Sequence, residues 1–332
     1  MAIIEIENLV KTYRVYQKRE GVTASITGLF KREYRTVEAV RGIDLQVEEG
    51  EFVAFLGPNG AGKTTTLKLL SGVINPDSGS CSVMGFTPWE RRNEYRRRFA
   101  LVMGQKNQLW WDLPALESFR LHQHIYRIDP VEFNRTRDEL AEMLDCAHLL
   151  KQPVRELSLG ERMKMELIAA LLHSPDVLFL DEPTIGLDVI AQHRIQEFLR
   201  EYQQQRRNTI LLTSHYMKDI AALCKRVVII ANGAIYHDGS LDDIVDRFGS
   251  DKIVTLQMPD ENEIKEVAAS LSQVVSIDPP RLKFHVNRDE VGVTLSRILT
   301  NYRVSDVAVE DPPLEEVIAE AFTSAQEMSN SA

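Results

Sequence analysis

Cysteine is scarce in this chain: Cys81, Cys146 and Cys224 are odd in number and far apart. That pattern excludes a disulfide framework, signals no zinc site and fits a reducing cytosol. Basic charge is also in deficit, with 49 acidic against 39 basic side chains and a formal net charge of −10. A general nucleic-acid binder would carry a basic field, so that class is disfavoured and no nucleic-acid partner is expected. Long apolar runs are missing. Those at 177–180 and 227–231 are strand-sized, far short of the roughly 18 residues a membrane helix needs. The opening "MAIIEIENLV" lacks a basic region followed by a long apolar stretch and reads as an alternating strand, so the protein is expected to stay inside the cell. There are no sustained heptads and no fixed-period repeat.

What is present is an ordinary globular composition: 332 residues, 44% apolar and 27% charged, enough for one large or two modest domains. Residues 3–16 and 38–48 alternate, and "EEGEFVAFLG" reads as a turn, a buried strand and a Gly-rich loop. A charged, helix-rich stretch covers about 88–160. From about 165 helices alternate with the strands "DVLFLDEP", "TILLTSH" and "RVVIIANG", which predicts a mostly parallel sheet. The texture changes near Leu241, and 241–325 reads as a small α+β domain of short strands and two helices, followed by a frayed tail at 326–332. Residues 17–36 form an insertion, either a solvated loop or a docking segment.

The strongest chemical signal is "GPNGAGKTT", a G-x-x-x-x-G-K-T match placed after a strand and before a helix. In that context Gly57, Gly60 and Gly62, with Pro58, Asn59, Ala61 and Thr65 between and beyond them, let backbone amides wrap phosphates. Lys63 supplies positive charge, and Thr64 offers a hydroxyl to Mg2+. The strand "VLFLDEP" carries Asp181 as a candidate Mg2+ ligand and Glu182 as a candidate base for an attacking water. His215, ending "TILLTSH", is either a surface residue or a sensor of the terminal phosphate. Gln105 ends another strand and can reach Mg2+ or the water through its amide, with Gln108 the competitor; the spacing to Leu113 and Glu117 favours Gln105. "ELSLGERMKMEL" opens as a capping box, Ser158 to Glu161.

Taken in order, "GPNGAGKTT", Gln105, "LSLGE", "LFLDEPTIGLD" and "TSH" closely resemble the ATP-binding cassette family of transporter ATPases over about residues 3–240. The family's usual Leu-Ser-Gly-Gly-Gln appears as Leu157-Ser158-Leu159-Gly160-Glu161, which keeps the serine and the second glycine. The resemblance implies a P-loop α/β fold with a parallel core, an antiparallel β edge and a helical subdomain. It also implies that Ser158 and Gly160 of one chain read the ATP held by a second cassette, so a homodimer or heterodimer is expected, with Asp188 at the seam. It assigns adenine stacking to an aromatic residue near the end of the first strand; Tyr13 is the first choice, and Tyr16 and Tyr34 are alternatives. Trp110 and Trp111 fall where the family docks its permease, and one of them is expected to line that groove. The five arginines between Arg91 and Arg98 read as a solvated helix face.

The expected function is therefore ATP binding and hydrolysis at the cytoplasmic face of the membrane, driving separate permease chains. The cassettes most resembled are those of bacterial exporters. The alternative, a soluble cassette acting on ribosomes or RNA, is weakened because such proteins generally carry two cassettes per chain.

Overall fold

The computed structural model describes residues 2–16, 34–214, 217–249 and 251–330, divided into two compact units, 1–239 and 240–332. Residues 17–33 of the insertion lie outside the described residues, and 34–36 open a strand. In the first unit the chain runs β1 (Ala2–Tyr16), β2 (Tyr34–Glu48), β3 (Phe52–Leu56), α1 (Lys63–Leu70), β4 (Ser78–Val83), α2 (Asn93–Arg96) and β5 (Phe99–Met103). It continues through α3 (Ala115–Tyr126), α4 (Pro130–Met143), α5 (Leu159–Leu171), β6 (Val177–Asp181) and α6 (Val189–Arg206). The unit closes with β7 (Thr209–Thr213), α7 (Met217–Leu223), β8 (Arg226–Ala231) and β9 (Ala234–Ser240).

The central sheet has six strands in the order β5-β6-β7-β3-β8-β9, and the first five pair in parallel. β6 and β7 are buried at every position, as strands covered on both faces must be. Such strands read as unbroken apolar runs rather than alternations. β1, by contrast, pairs antiparallel with β2 and β4 in a second sheet, and β2 alternates buried and exposed from Ile43 to Glu48, the pattern of a half-solvated strand. Ile4, Ile6, Val40, Val47, Phe55, Leu67, Phe179 and Leu211 meet in one core between the two sheets and α1.

The parallel order puts the carboxyl ends of β3, β6 and β7 side by side, with Asp181 level with Thr213 and Thr213 level with Phe55. Ligands of open α/β sheets bind outside those ends. Helices are stopped and started by local chemistry: Asp129 caps α4 with Pro130 in its first turn, and Asp188 caps α6 through the Ala191 amide.

The helix-rich stretch differs from the sequence reading in one respect. α2 is a single turn, and Arg91 precedes it in a left-handed conformation with its guanidinium donating to the Gly72 and Val73 carbonyls, 2.8 and 3.0 Å away. The arginine run is thus not one solvated helix face, because part of it satisfies orphan carbonyls beyond α1. The three cysteines are buried and form no disulfide, and burial pushes the Cys81 thiol up to about 12 and that of Cys146 up to about 11.

The second unit comprises α8 (Leu241–Phe248), β10 (Asp251–Gln257), α9 (Glu261–Ala269), β11 (Val274–Asp278), β12 (Arg281–Asn287), α10 (Val291–Asn301), β13 (Asp306–Glu310) and α11 (Leu314–Asn330). Its antiparallel sheet is ordered β11-β12-β10-β13. Val254, Leu256, Leu282 and Phe284 pack under Ile264, Val267 and Ile298 of α9 and α10, and α8 packs on α11. The sequence reading has two helices here and no strand at "VVSID". That strand is a partly exposed sheet edge, so its pattern shows no buried alternation. Residues 326–330, read as a tail, continue α11 instead.

Candidate active site

The loop between β3 and α1 turns through positive φ at Gly57, Gly60 and Gly62. At Gly62, φ is +109° and an added Cβ would stand 2.3 Å from the Ala39 carbonyl oxygen, so only glycine lets the loop enter α1 there. Lys63 is 5% exposed, and its ammonium donates to the Gly57 carbonyl at 2.6 Å and the Pro58 carbonyl at 3.1 Å. Burial lowers its pKa, while the nearby Glu182 and Asp181 carboxylates oppose that shift. The cation is thus held inside the loop that the amides line.

Thr64 donates its hydroxyl to the Asp181 carboxylate, 3.0 Å from Oδ1 and 2.9 Å from Oδ2, which ties the first turn of α1 to the end of β6. Asp181 Oδ1 also accepts from the Thr213 hydroxyl at 2.8 Å. Glu182 leaves the strand with φ +54°, a left-handed conformation that a glutamate adopts at a cost of about 1–3 kcal/mol. Gln105 Nε2 donates to Glu182 Oε2 at 3.3 Å. A cavity of about 460 Å³ is bounded by Asn59, Thr64, Gln105, Asp181 and Glu182, with Lys68, Met103, Lys106 and Ile185.

Three of the sequence-predicted groups therefore converge here, the phosphate loop, the β6 carboxylates and Gln105. Gln108, the competitor, points away: its side chain donates to the Leu101 carbonyl and its amide to buried Glu166. Thr64 and Asp181 present hard oxygens side by side, which suits Mg2+. Among the described residues no three His, Cys, Asp or Glu gather as a metal cage. The fit is to an ion that keeps waters and takes the rest of its shell from a nucleotide's phosphates.

Ser158, Gly160, Asp188 and Tyr13 lie outside this cavity's lining. Ser158 caps α5 in a reciprocal box with Glu161, at 3.3 and 2.8 Å. Gly160 lies against α6, where an added Cβ would be 2.8 Å from the Ala191 Cβ, and Leu159 packs toward Gly186. The start of α5 and the turn carrying Asp188 are thus adjacent in one chain. Tyr13 is 37% exposed on β1, with the Lys11 ammonium 5.8 Å from its ring centre. Tyr34 is also exposed, and the side chain of Tyr16 lies outside the described residues, as does all of His215. Both Trp110 and Trp111 are 47% exposed, and Arg162 of α5 stacks on the Trp111 ring.

Sequence patterns left out three residues that shape the site: Gly104, Glu166 and Thr213. Gly104 and Thr213 stand beside recognised residues, in "MGQ" and "LLTSH", and that adjacency was the available signal. Glu166 had none, since a carboxylate in a helical pattern reads as solvated.

Comparison with known proteins points to one family. The family model described as "ABC transporter" matches residues 40–185, and that described as "EvrA-like ABC transporter, C-terminal domain" matches 250–310. The ABC transporter ATP-binding protein NatA of Bacillus subtilis is 30% identical over 224 residues, covering 68% of this chain and 91% of NatA. The chain belongs to the ATP-binding cassette family of transporter ATPases. The Nod factor export ATP-binding protein I of Burkholderia thailandensis is 33% identical over 260 residues, covering 78% of the cassette chain and 85% of its own. A solved ATP-binding subunit of an ABC transporter is 29% identical with a TM-score of 0.61, over 74% of this chain and 93% of that one. The cassette binds ATP and hydrolyses it, and its α/β fold is that of its solved relatives. Among the described residues, no helix is long and apolar enough to cross a membrane.

Proposed function

We propose that the cassette is the energy-coupling subunit of an exporter, working as a pair of cassettes on separate permease chains at the cytoplasmic face of the membrane. The observation that carries this reading is the meeting of Thr64, Asp181, Glu182 and Gln105 at one cavity, while Ser158 caps a helix outside it. The phosphate loop, the β6 carboxylates and Gln105 supply the phosphate side of an ATP site within a single chain. The other side has to come from a second copy or a related cassette. Export is supported by the Nod factor export relative.

In this reading the loop amides and Lys63 grip the β- and γ-phosphates, and Tyr13 stacks on the adenine. Thr64 and Asp181, with the Gln105 amide, hold Mg2+, which neutralises charge on the phosphate oxygens when bound. Glu182 accepts the proton of the water that attacks the γ-phosphorus, and His215 hydrogen-bonds the γ-phosphate. The Ser158 hydroxyl has its lone pair on the Glu161 amide, so its proton remains available to a phosphate oxygen of the facing cassette. Closing the pair over ATP and reopening it after hydrolysis moves the permease, with one of the half-exposed Trp110 and Trp111 lining the groove that meets it.

The test is affinity purification of the tagged cassette from gently solubilised membranes, with ATPase activity measured on the same sample. Co-purifying multi-spanning chains are expected. Recovery with ribosomal or nucleic-acid components and no membrane chain would overturn the reading.

A further inference from the structure

Thr213 ends β7, the strand lying between β3, which leads into the phosphate loop, and β6, which delivers Asp181 and Glu182. It is fully buried. Its hydroxyl donates to Asp181 Oδ1 at 2.8 Å and accepts the Glu182 amide at 3.1 Å, and its own carbonyl accepts the same amide at 3.0 Å. We infer that Thr213 is a positioning residue for hydrolysis, a single hydroxyl that fixes the Mg2+-binding carboxylate and the backbone of the base relative to each other.

Two features separate this from an ordinary satisfied hydroxyl. The first is what the bonds restrain. Glu182 has a left-handed φ of +54°, which persists only when its surroundings over-determine it, and Thr213 supplies two acceptors for its amide. The second is how Asp181 is shared. Thr64 holds it from the nucleotide side and can turn its hydroxyl to an arriving ion, whereas the Thr213 hydroxyl has both roles engaged and no solvent to turn to. Asp181 thus keeps one orientation when Thr64 changes partners. The branched carbon of threonine stiffens χ1, so the hydroxyl stays aimed at both groups.

The inference rests on Asp181 and Glu182 acting on Mg-ATP. It is tested with Thr213→Val, which keeps the shape and removes the hydroxyl, and Thr213→Ser, which keeps the hydroxyl. ADP affinity is measured calorimetrically on the full chain with Mg2+ and with chelator, beside kcat and KM for ATP. For Thr213→Val, kcat should fall about 10-fold, as for loss of a partner behind a metal ligand, with KM within about twofold. The gain in ADP affinity on adding Mg2+ should shrink while affinity in chelator is unchanged. Thr213→Ser should recover most of both.

Wild-type kcat and Mg2+ gain in Thr213→Val would overturn the inference. So would an equal loss of affinity with and without Mg2+, because that marks a general packing defect. Should the valine variant fail to fold, Thr213→Ser alone decides: an undiminished Mg2+ gain supports the hydroxyl's role and a lost one overturns it. A wild-type protein whose ADP affinity ignores Mg2+ would instead overturn the reading of the site itself, and this inference with it.

Discussion

Gly104 approaches Glu182 so closely that a β-carbon at position 104 would lie 2.0 Å from the Glu182 carbonyl oxygen. The Gly104 amide also donates to the Asp181 carbonyl at 2.8 Å, so this glycine seats the turn that presents Gln105. The obstructing atom is backbone and cannot rotate aside. Gly104→Ala should push the chain carrying Gln105 away, costing about 1–3 kcal/mol of stability and most of the turnover. Urea unfolding and steady-state ATPase assays check this; a variant with wild-type values in both would remove Gly104 from that role.

Glu182→Gln keeps the shape and the hydrogen-bonding reach to Gln105 while removing the proton acceptor. Nucleotide affinity should be retained and hydrolysis should fall about 10²- to 10⁴-fold, the range for loss of a general base. ATP should then hold the cassettes as a pair, seen as a shift in gel filtration. Normal turnover would mean that another group activates the water.

Glu166 is 4% exposed on α5, and one of its oxygens accepts the Gln108 amide at 2.8 Å and the Leu109 amide at 3.3 Å. Burial pushes its pKa up, opposed by those two amides and by Arg162. Glu166→Ala should cost about 2 kcal/mol by leaving buried donors unpaired, and Glu166→Gln should cost less because an acceptor remains. Denaturant midpoints of the two variants provide the comparison, and equal midpoints would show that these amides do not depend on the side chain.

His173 stacks on Tyr126 with ring centroids 3.9 Å apart, and its Nε2 lies 3.0 Å from the Phe99 carbonyl oxygen. Burial lowers its pKa to about 4; the Phe99 carbonyl resists that shift and His122 adds to it. The folded chain refuses a proton that the unfolded chain accepts near 6.5. The contribution to stability is therefore whole above pH 6.5 and lost as pH falls from 6.5 toward 4, by roughly 3 kcal/mol at most. Unfolding midpoints between pH 7 and pH 4.5 should fall more steeply for the wild type than for His173→Phe, which keeps a ring for Tyr126. Parallel slopes would assign the acid sensitivity to other groups.

Much of the cassette is legible along the chain because its signals are local. A glycine-rich loop between a strand and a helix has few other uses, and apolar runs such as "VLFLD" and "TILLT" announce buried parallel strands. The C-terminal unit is less legible. Its edge strand β11 is solvated, so nothing in the side-chain pattern distinguishes it from a loop. The paired tryptophans show the same limit: adjacency suggests different fates, yet both rings remain half exposed.

By itself, then, the order of residues determined the kind of fold, the phosphate loop, the strand-end carboxylates and the capping box at Ser158, since each depends on neighbours a few positions away. Only the tertiary structure decided that Gln105, the glutamine its spacing favoured, meets Glu182, that Glu166 is buried and that Thr213 bridges Asp181 and Glu182. Those relations join residues about 30 to 80 positions apart, and they are set by strand order and register, which no local spacing encodes.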